Sequence, residues 1–232
     1  MTLISAIALV AGSALAADAT PKDEVTNAAQ KLAAAANYAW KTTVAVPEGS
    51  RFRPGPTEGK TEKDGVTQLK LSFGDNTTEA FLKGDKAAAT SPEGDWQSLA
   101  DLDNAEGPAR FMAGMLRNFK VPAVQAADLA NGTKELKRDG DVIAGDLTEE
   151  AAKPLLTFRR GGGGDGPTVS DAKGSVKFWI KDGVLAKYEF KVTGKVSFNG
   201  NDRDVDRTTT VEIKDLGSTK IEVPEAAQKK LS

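Results

Sequence analysis

The feature that most narrows what this chain can fold into is a two-residue period in its last third. Val176, Phe178 and Ile180 alternate with Lys177, Trp179 and Lys181, and Ala186, Tyr188, Phe190 and Val192 alternate with Lys187, Glu189 and Lys191. Apolar side chains on one side and charged ones on the other suit a strand with one buried face, while Asp182-Gly183 supplies the backbone freedom of a tight hairpin turn. The pattern therefore predicts an antiparallel hairpin. Gly194 marks a bulge in its second strand, which continues through Val196 and Phe198; Asn199-Gly200 turns the chain, and Thr208 to Lys214 returns with Val211 and Ile213 inward. A last short strand is expected from Lys220 to Val223, stopped by Pro224.

The same period recurs earlier. Tyr38, Trp40, Thr42 and Val44 form one face of a strand ending at Pro47. Val66 to Phe73, Thr77 to Lys83 and Lys86 to Thr90 form a meander, with turns at Gly74-Asp75-Asn76 and Gly84-Asp85. Helical spacing appears in three places. After Pro21, Val25, Ala28, Ala29, Leu32 and Ala36 share one face of a helix reaching about Asn37. From Pro108 to Phe119, the residues Phe111, Met112, Met115, Leu116 and Phe119 make one apolar stripe, and Val121 to Leu129 adds a shorter helix. Lys134 to Lys137 and Asp141 to Leu147 read as a hairpin around Asp139-Gly140, and Thr148-Glu149-Glu150 caps a helix that Pro154 shortens or kinks. The expected class is α+β, with a mostly antiparallel sheet.

Composition excludes more chemistry than it suggests. The chain has no cysteine and no histidine, so disulfides, thiolate nucleophiles, the usual structural zinc sites and ordinary hydrolase triads are unavailable. Its 31 basic and 33 acidic residues are interleaved, leaving no electrostatic footprint for nucleic acid. Residues 1–19 read as a cleavable signal peptide, with an apolar core from Leu3 to Val10 and cleavage motifs Ala14-Leu15-Ala16 and Ala17-Asp18-Ala19, though Met1-Thr2 carries no positive charge. Residues 20–232 would then be a single exported domain, periplasmic or secreted. Val10-Ala11-Gly12-Ser13 places serine where a lipobox carries its modified cysteine, so no covalent lipid anchor is expected.

Several segments are candidate sites. Asp202, Asp204 and Asp206 start like a calcium loop, but Arg207 stands in the glycine's place and no terminal glutamate follows, which favours a solvated hairpin tip. Gly161 to Gly166 lacks the Lys-Ser/Thr of a phosphate-binding loop and reads as a connector. Arg51, Phe52 and Arg53 form a basic and aromatic loop tip suited to contact with a partner protein. The stripe of Phe111, Met112, Met115, Leu116 and Phe119 either seals a core or lines an adaptable apolar cavity. Trp179, opposite Phe178, is either packed by helices or part of a cavity wall.

Three stretches carry a family likeness: Gly145-Asp146-Leu147-Thr148-Glu149-Glu150-Ala151-Ala152, Gly174-Ser175-Val176-Lys177-Phe178-Trp179-Ile180 with Asp182-Gly183, and Thr210 to Gly217 followed by Ile221-Glu222-Val223-Pro224. With the order of elements, they resemble the LolA/LppX-like periplasmic lipoprotein-carrier superfamily. The resemblance implies an unclosed β half-barrel, strongly curved, with helices covering its concave face. It also implies a noncatalytic, monomeric carrier or binder of lipid or lipoprotein acyl chains, without cofactor or metal and with at most transient membrane contact. The alternative is an envelope interaction or stress-sensing module without a small-molecule cavity. No family ligand contact maps onto a position of this chain.

Overall fold

A computed structural model describes residues 19–50, 53–74, 76–157, 167–198 and 200–232. Residues 1–18 of the expected signal segment, Ser13 among them, Arg51, Phe52 and the glycine run 161–166 lie outside the described residues.

Helix α1 (Pro21–Ala34) begins at a capping box in which Thr20 and Asp23 exchange hydrogen bonds. It buries Val25, Ala28, Ala29 and Leu32 and stops short of Asn37, because the two-residue period has already taken over there. Strand β1 (Asn37–Ala45) leads into an antiparallel meander of β2 (Thr57–Glu62), β3 (Val66–Phe73), β4 (Asn76–Lys83), β5 (Lys86–Thr90) and β6 (Trp96–Ser98). Helices α2 (Leu99–Asn104), α3 (Pro108–Arg117) and α4 (Pro122–Asn131) follow, then β7 (Lys137–Asp139), β8 (Val142–Asp146) and α5 (Glu149–Leu156). Three long strands, β9 (Thr168–Lys181), β10 (Val184–Phe198) and β11 (Asn201–Lys214), precede a short C-terminal helix, α6 (Glu225–Lys230).

All eleven strands join one antiparallel sheet in the order β6-β5-β4-β3-β2-β1-β11-β10-β9-β8-β7. The chain works outward from β1 to one edge, crosses over through α2, α3 and α4, and works inward from the other edge until β11 pairs with β1. The hairpins joining β7 to β8, β9 to β10 and β10 to β11 form, although β7 takes in only Lys137 of the expected Lys134 to Lys137. The bulge expected in β10 at Gly194 lies instead in β9, where Asp171 and Ala172 together stand opposite Gly194 and Asp171 takes a φ of 55°. A side chain at Gly194 would collide with Leu156 of α5 at 2.6 Å, so the glycine also seats that helix on the sheet.

The α+β class and the antiparallel sheet stand as expected. The sheet does not close, and it is less strongly curled than a half-barrel. The expected strand from Lys220 to Val223 does not form: the segment pairs with no strand and is held by the Ile221 amide donating to Glu62 Oε1 at 2.8 Å. It leads into α6, which packs on the face of the sheet opposite the other helices. There Ala227, Ile221, Val223 and Leu231 cover Phe81, Ala88 and Trp96 as a small second core.

The main core lies between the sheet and α1, α3, α4 and α5. Inward positions of the alternating strands, among them Tyr38, Leu69, Val176, Phe178, Tyr188, Val192 and Val211, pack against Leu32, Leu116, Leu129 and Leu156. Trp179 faces the other way, on the solvent side of β9, where the Lys187 ammonium lies 4.6 Å from its ring centre. It is neither packed by helices nor part of a cavity wall.

Candidate functional site: a cavity under α3 and α4

Helices α3 and α4 each start with proline at the first helical position, where the missing amide costs nothing and the fixed φ suits the helix. Gly107, at φ 63°, turns the chain into α3. The two helices meet at a short turn in which the Asn118 side-chain amide donates to the Gly114 carbonyl at 2.7 Å. This corner hangs over the centre of the sheet, where β1, β2, β3, β10 and β11 lie side by side.

Between corner and sheet is a cavity of about 280 Å³. Its sheet wall is Trp40, Leu71 and Tyr188 together with Thr42, Thr57 and Thr209. Gly114, Met115, Leu116 and Phe119 form the roof; Asn118, Lys120, Pro122, Gln125 and Thr157 complete the lining. Trp40 owes its position to a glycine on the neighbouring strand. Gly59 is paired with Trp40 across β1 and β2, and a Cβ there would lie 2.1 Å from the indole ring, so only glycine lets the indole rest flat over β2. Phe119 then stacks on the indole at 6.1 Å between ring centres and 19° between planes, and Tyr38 packs at its other side at 5.7 Å.

Tyr188 is fully buried, and its hydroxyl donates to Gln125 Oε1 at 2.6 Å, pinning α4 to β10 beside the cavity. Burial raises its phenol pKa well above 10, and the neighbouring Tyr38 adds to the effect. The Tyr38 phenol is pushed up to about 12, chiefly by burial, with the Ala123 amide in the first turn of α4 acting in the opposite sense. That amide does not reach the Tyr38 oxygen in hydrogen-bonding geometry, so the oxygen is a buried polar atom without a partner among the described residues. At the exposed rim, Lys120 pairs with Asp128 at 2.5 Å.

The five stripe residues do not act as one. Met115, Leu116 and Phe119 line the cavity, Met112 is buried in the core without lining it, and Phe111 is 37% exposed and lies outside it. Arg53 is exposed and does not line the cavity. Trp40 and Tyr188 were placed on the inward face by alternation, but nothing marked them as cavity walls. Gly59 had no legible signal, because Thr57-Glu58-Gly59-Lys60-Thr61-Glu62 is too polar to read as a strand.

Two other places were candidates. Asp202, Asp204 and Asp206 lie at alternate positions of β11 with Asp206 paired to Lys191, and no group of three or more acidic side chains able to hold a metal ion occurs among the described residues. A depression of about 350 Å³ on the opposite face of the sheet is floored by Ala39 and bordered by Lys41, Glu58, Lys60, Lys70 and Lys214. Its rim is charged, solvated and built of long flexible side chains, and it presents no apolar wall comparable to the first cavity.

No family model matches the sequence, and no curated protein matches it either. Among solved structures, the chain is similar over most of its length to three proteins. LprF from Mycobacterium bovis is 11% identical, with 89% of this chain and 97% of that one covered and a TM-score of 0.47. The Mycobacterium tuberculosis lipoprotein LppX is 9% identical, with 88% and 99% covered and a TM-score of 0.49. A LolA superfamily protein from Nitrosomonas europaea is 10% identical, with 92% and 97% covered and a TM-score of 0.37. At this distance the likeness bears on shape alone. Among the described residues no helix is long and apolar enough to cross a membrane.

Proposed function

We propose that this protein is a noncatalytic binder or carrier of a hydrophobic ligand, acting outside the cytoplasmic membrane after removal of residues 1–19. The supporting observation is the cavity of about 280 Å³ between the sheet and the α3–α4 corner, walled by Trp40, Leu71, Met115, Leu116 and Phe119. The cavity opens to solvent beside Asn118 and Lys120, and its apolar walls favour a hydrophobic occupant over water. Met115 is only partly buried at the corner between two helices, and its flexible side chain can shift to admit a ligand. The sequence contains neither histidine nor cysteine, which fits binding better than turnover.

Native mass spectrometry of the protein after gentle extraction tests this reading. A retained lipid or fatty acid is the expected result, with Met115→Trp, which fills the cavity, reducing the bound fraction at least tenfold. A protein that stays empty when offered lipid, fatty acid and detergent alike would refute the proposal.

A further inference from the structure

We infer that the cavity accepts one medium-length acyl chain of about ten to twelve heavy atoms bearing an oxygen function, and excludes lipids with two or three chains. The inference rests on the binding reading above and concerns the size and polarity of the ligand. An apolar cavity of roughly 150 Å³ holds the six heavy atoms of benzene. At about 280 Å³, this one holds close to twice as many.

Three contacts limit expansion. The Trp40 indole is fixed over Gly59, Phe119 stacks on that indole, and the Tyr188 hydroxyl holds Gln125 of α4. Room for a second chain would require breaking the stack and the buried hydrogen bond together, leaving a phenol and an amide without partners.

The walls differ in chemistry, and that difference defines the ligand further. Met115, Leu116 and Phe119 present hydrocarbon and sulfur from above, whereas Thr42, Thr57 and Thr209 bring three hydroxyls from adjacent strands of the sheet. None of these three hydroxyls makes a hydrogen bond among the described residues. Gln125 accepts from Tyr188 through Oε1, which leaves its Nε2 donors directed elsewhere. A bare hydrocarbon would desolvate all of these groups without compensation. A chain with a hydroxyl along it would satisfy one or more of them, and a carboxylate or ester head would reach the rim at Asn118 and Lys120.

A calorimetric series of saturated fatty acids from six to sixteen carbons, with a diacyl phospholipid as competitor, tests the size limit. Affinity should rise about fourfold per methylene and level off near ten to twelve heavy atoms, and the phospholipid should not compete. Continued gain through sixteen carbons, or full competition by the phospholipid, would overturn the size limit while leaving the carrier reading intact. Absence of binding across the whole series and by the phospholipid, with the fold intact by circular dichroism, would instead refute the carrier reading. For polarity, hydroxydecanoate should bind several-fold more tightly than decanoate, and the near-isosteric pair Thr42→Val and Thr209→Val should erase the difference. Equal binding of the two acids by the parent protein would overturn the polar half of the inference.

Discussion

Trp40, Gly59 and the two tyrosines show how few residues set the shape of the cavity. Replacing Gly59 with alanine puts a methyl group inside the volume of the Trp40 ring, so the indole must leave its seat over β2. Overpacking of this kind costs about 1–3 kcal/mol. Gly59→Ala should therefore lower the denaturant midpoint and change the tryptophan emission, while an alanine at the solvent-open turn residue Gly65 should leave the emission unchanged despite its strained φ of 87°.

The tyrosines provide an optical test. Tyr38 and Tyr188 are the chain's two tyrosines, both are buried, and both phenols have raised pKa values in the folded protein. A raised pKa means that folding stability is complete below the unfolded value near 10 and declines as pH rises toward 12 and beyond. In a spectrophotometric titration no tyrosinate should appear near pH 10, and both phenols should ionise together with alkaline unfolding. A normal, non-cooperative titration of either would contradict the burial described for it. The Tyr188–Gln125 bond cannot be read from the sequence, since the partners are 63 positions apart; alternation placed Tyr188 on the buried face and no more.

At the scale of elements, the strands with apolar alternation were legible and the polar ones were not. β1, β3 and the long hairpins of β9, β10 and β11 follow directly from period-two patterns and Asp-Gly or Asn-Gly turns, whereas β5, with its three successive buried alanines, is placed only by the Gly84-Asp85 turn before it. β2 is recruited by pairing on both sides, with β1 and β3, and its own side chains contribute little to the pattern. α2 and α6 went unread because each is six residues long and is held by contacts distant in sequence. Those contacts meet at Asp101. Its carboxylate accepts from the Ser98 amide at the start of α2 and from the Lys230 ammonium of α6 at 2.9 Å.

The Ser98 amide bond, the Lys230 contact and the Ser98 hydroxyl together hold the Asp101 pKa at about 2. Because the folded pKa lies below the unfolded value, this contribution is present above about pH 4 and is lost as pH falls through 2. Amide exchange in α6 should accelerate across that interval before the main core opens, and Asp101→Asn should remove the acid dependence. Constant protection of α6 between pH 5 and pH 2 would contradict the link.

The whole molecule is organised around an open sheet with two ends to protect. At one edge, Lys137, Arg138 and Asp139 of β7 are all exposed, and charge there discourages pairing with another chain; at the other, α2 and α6 pack beside β6. Lys137→Val with Arg138→Val should leave the native structure intact and speed aggregation on heating, measured by light scattering. The centre of the sheet is more vulnerable than its edges. β1 pairs with β11 along seven positions, so the first strand of the sheet has its partners in β2 and in the last strand. A chain ending after Phe198 should show no cooperative thermal transition, because β1 and β10 each lose a neighbour and the sheet separates into two parts.

The β1–β11 pairing also has a consequence in time. A polypeptide made from its N-terminus can assemble the meander early, but the two halves of the sheet share no strand pairing until β11 arrives. During that interval the nascent protein holds two unfinished sheets with open flanks, each able to pair with a strand of another chain. The fold thus delays its own completion until nearly the whole chain has been delivered.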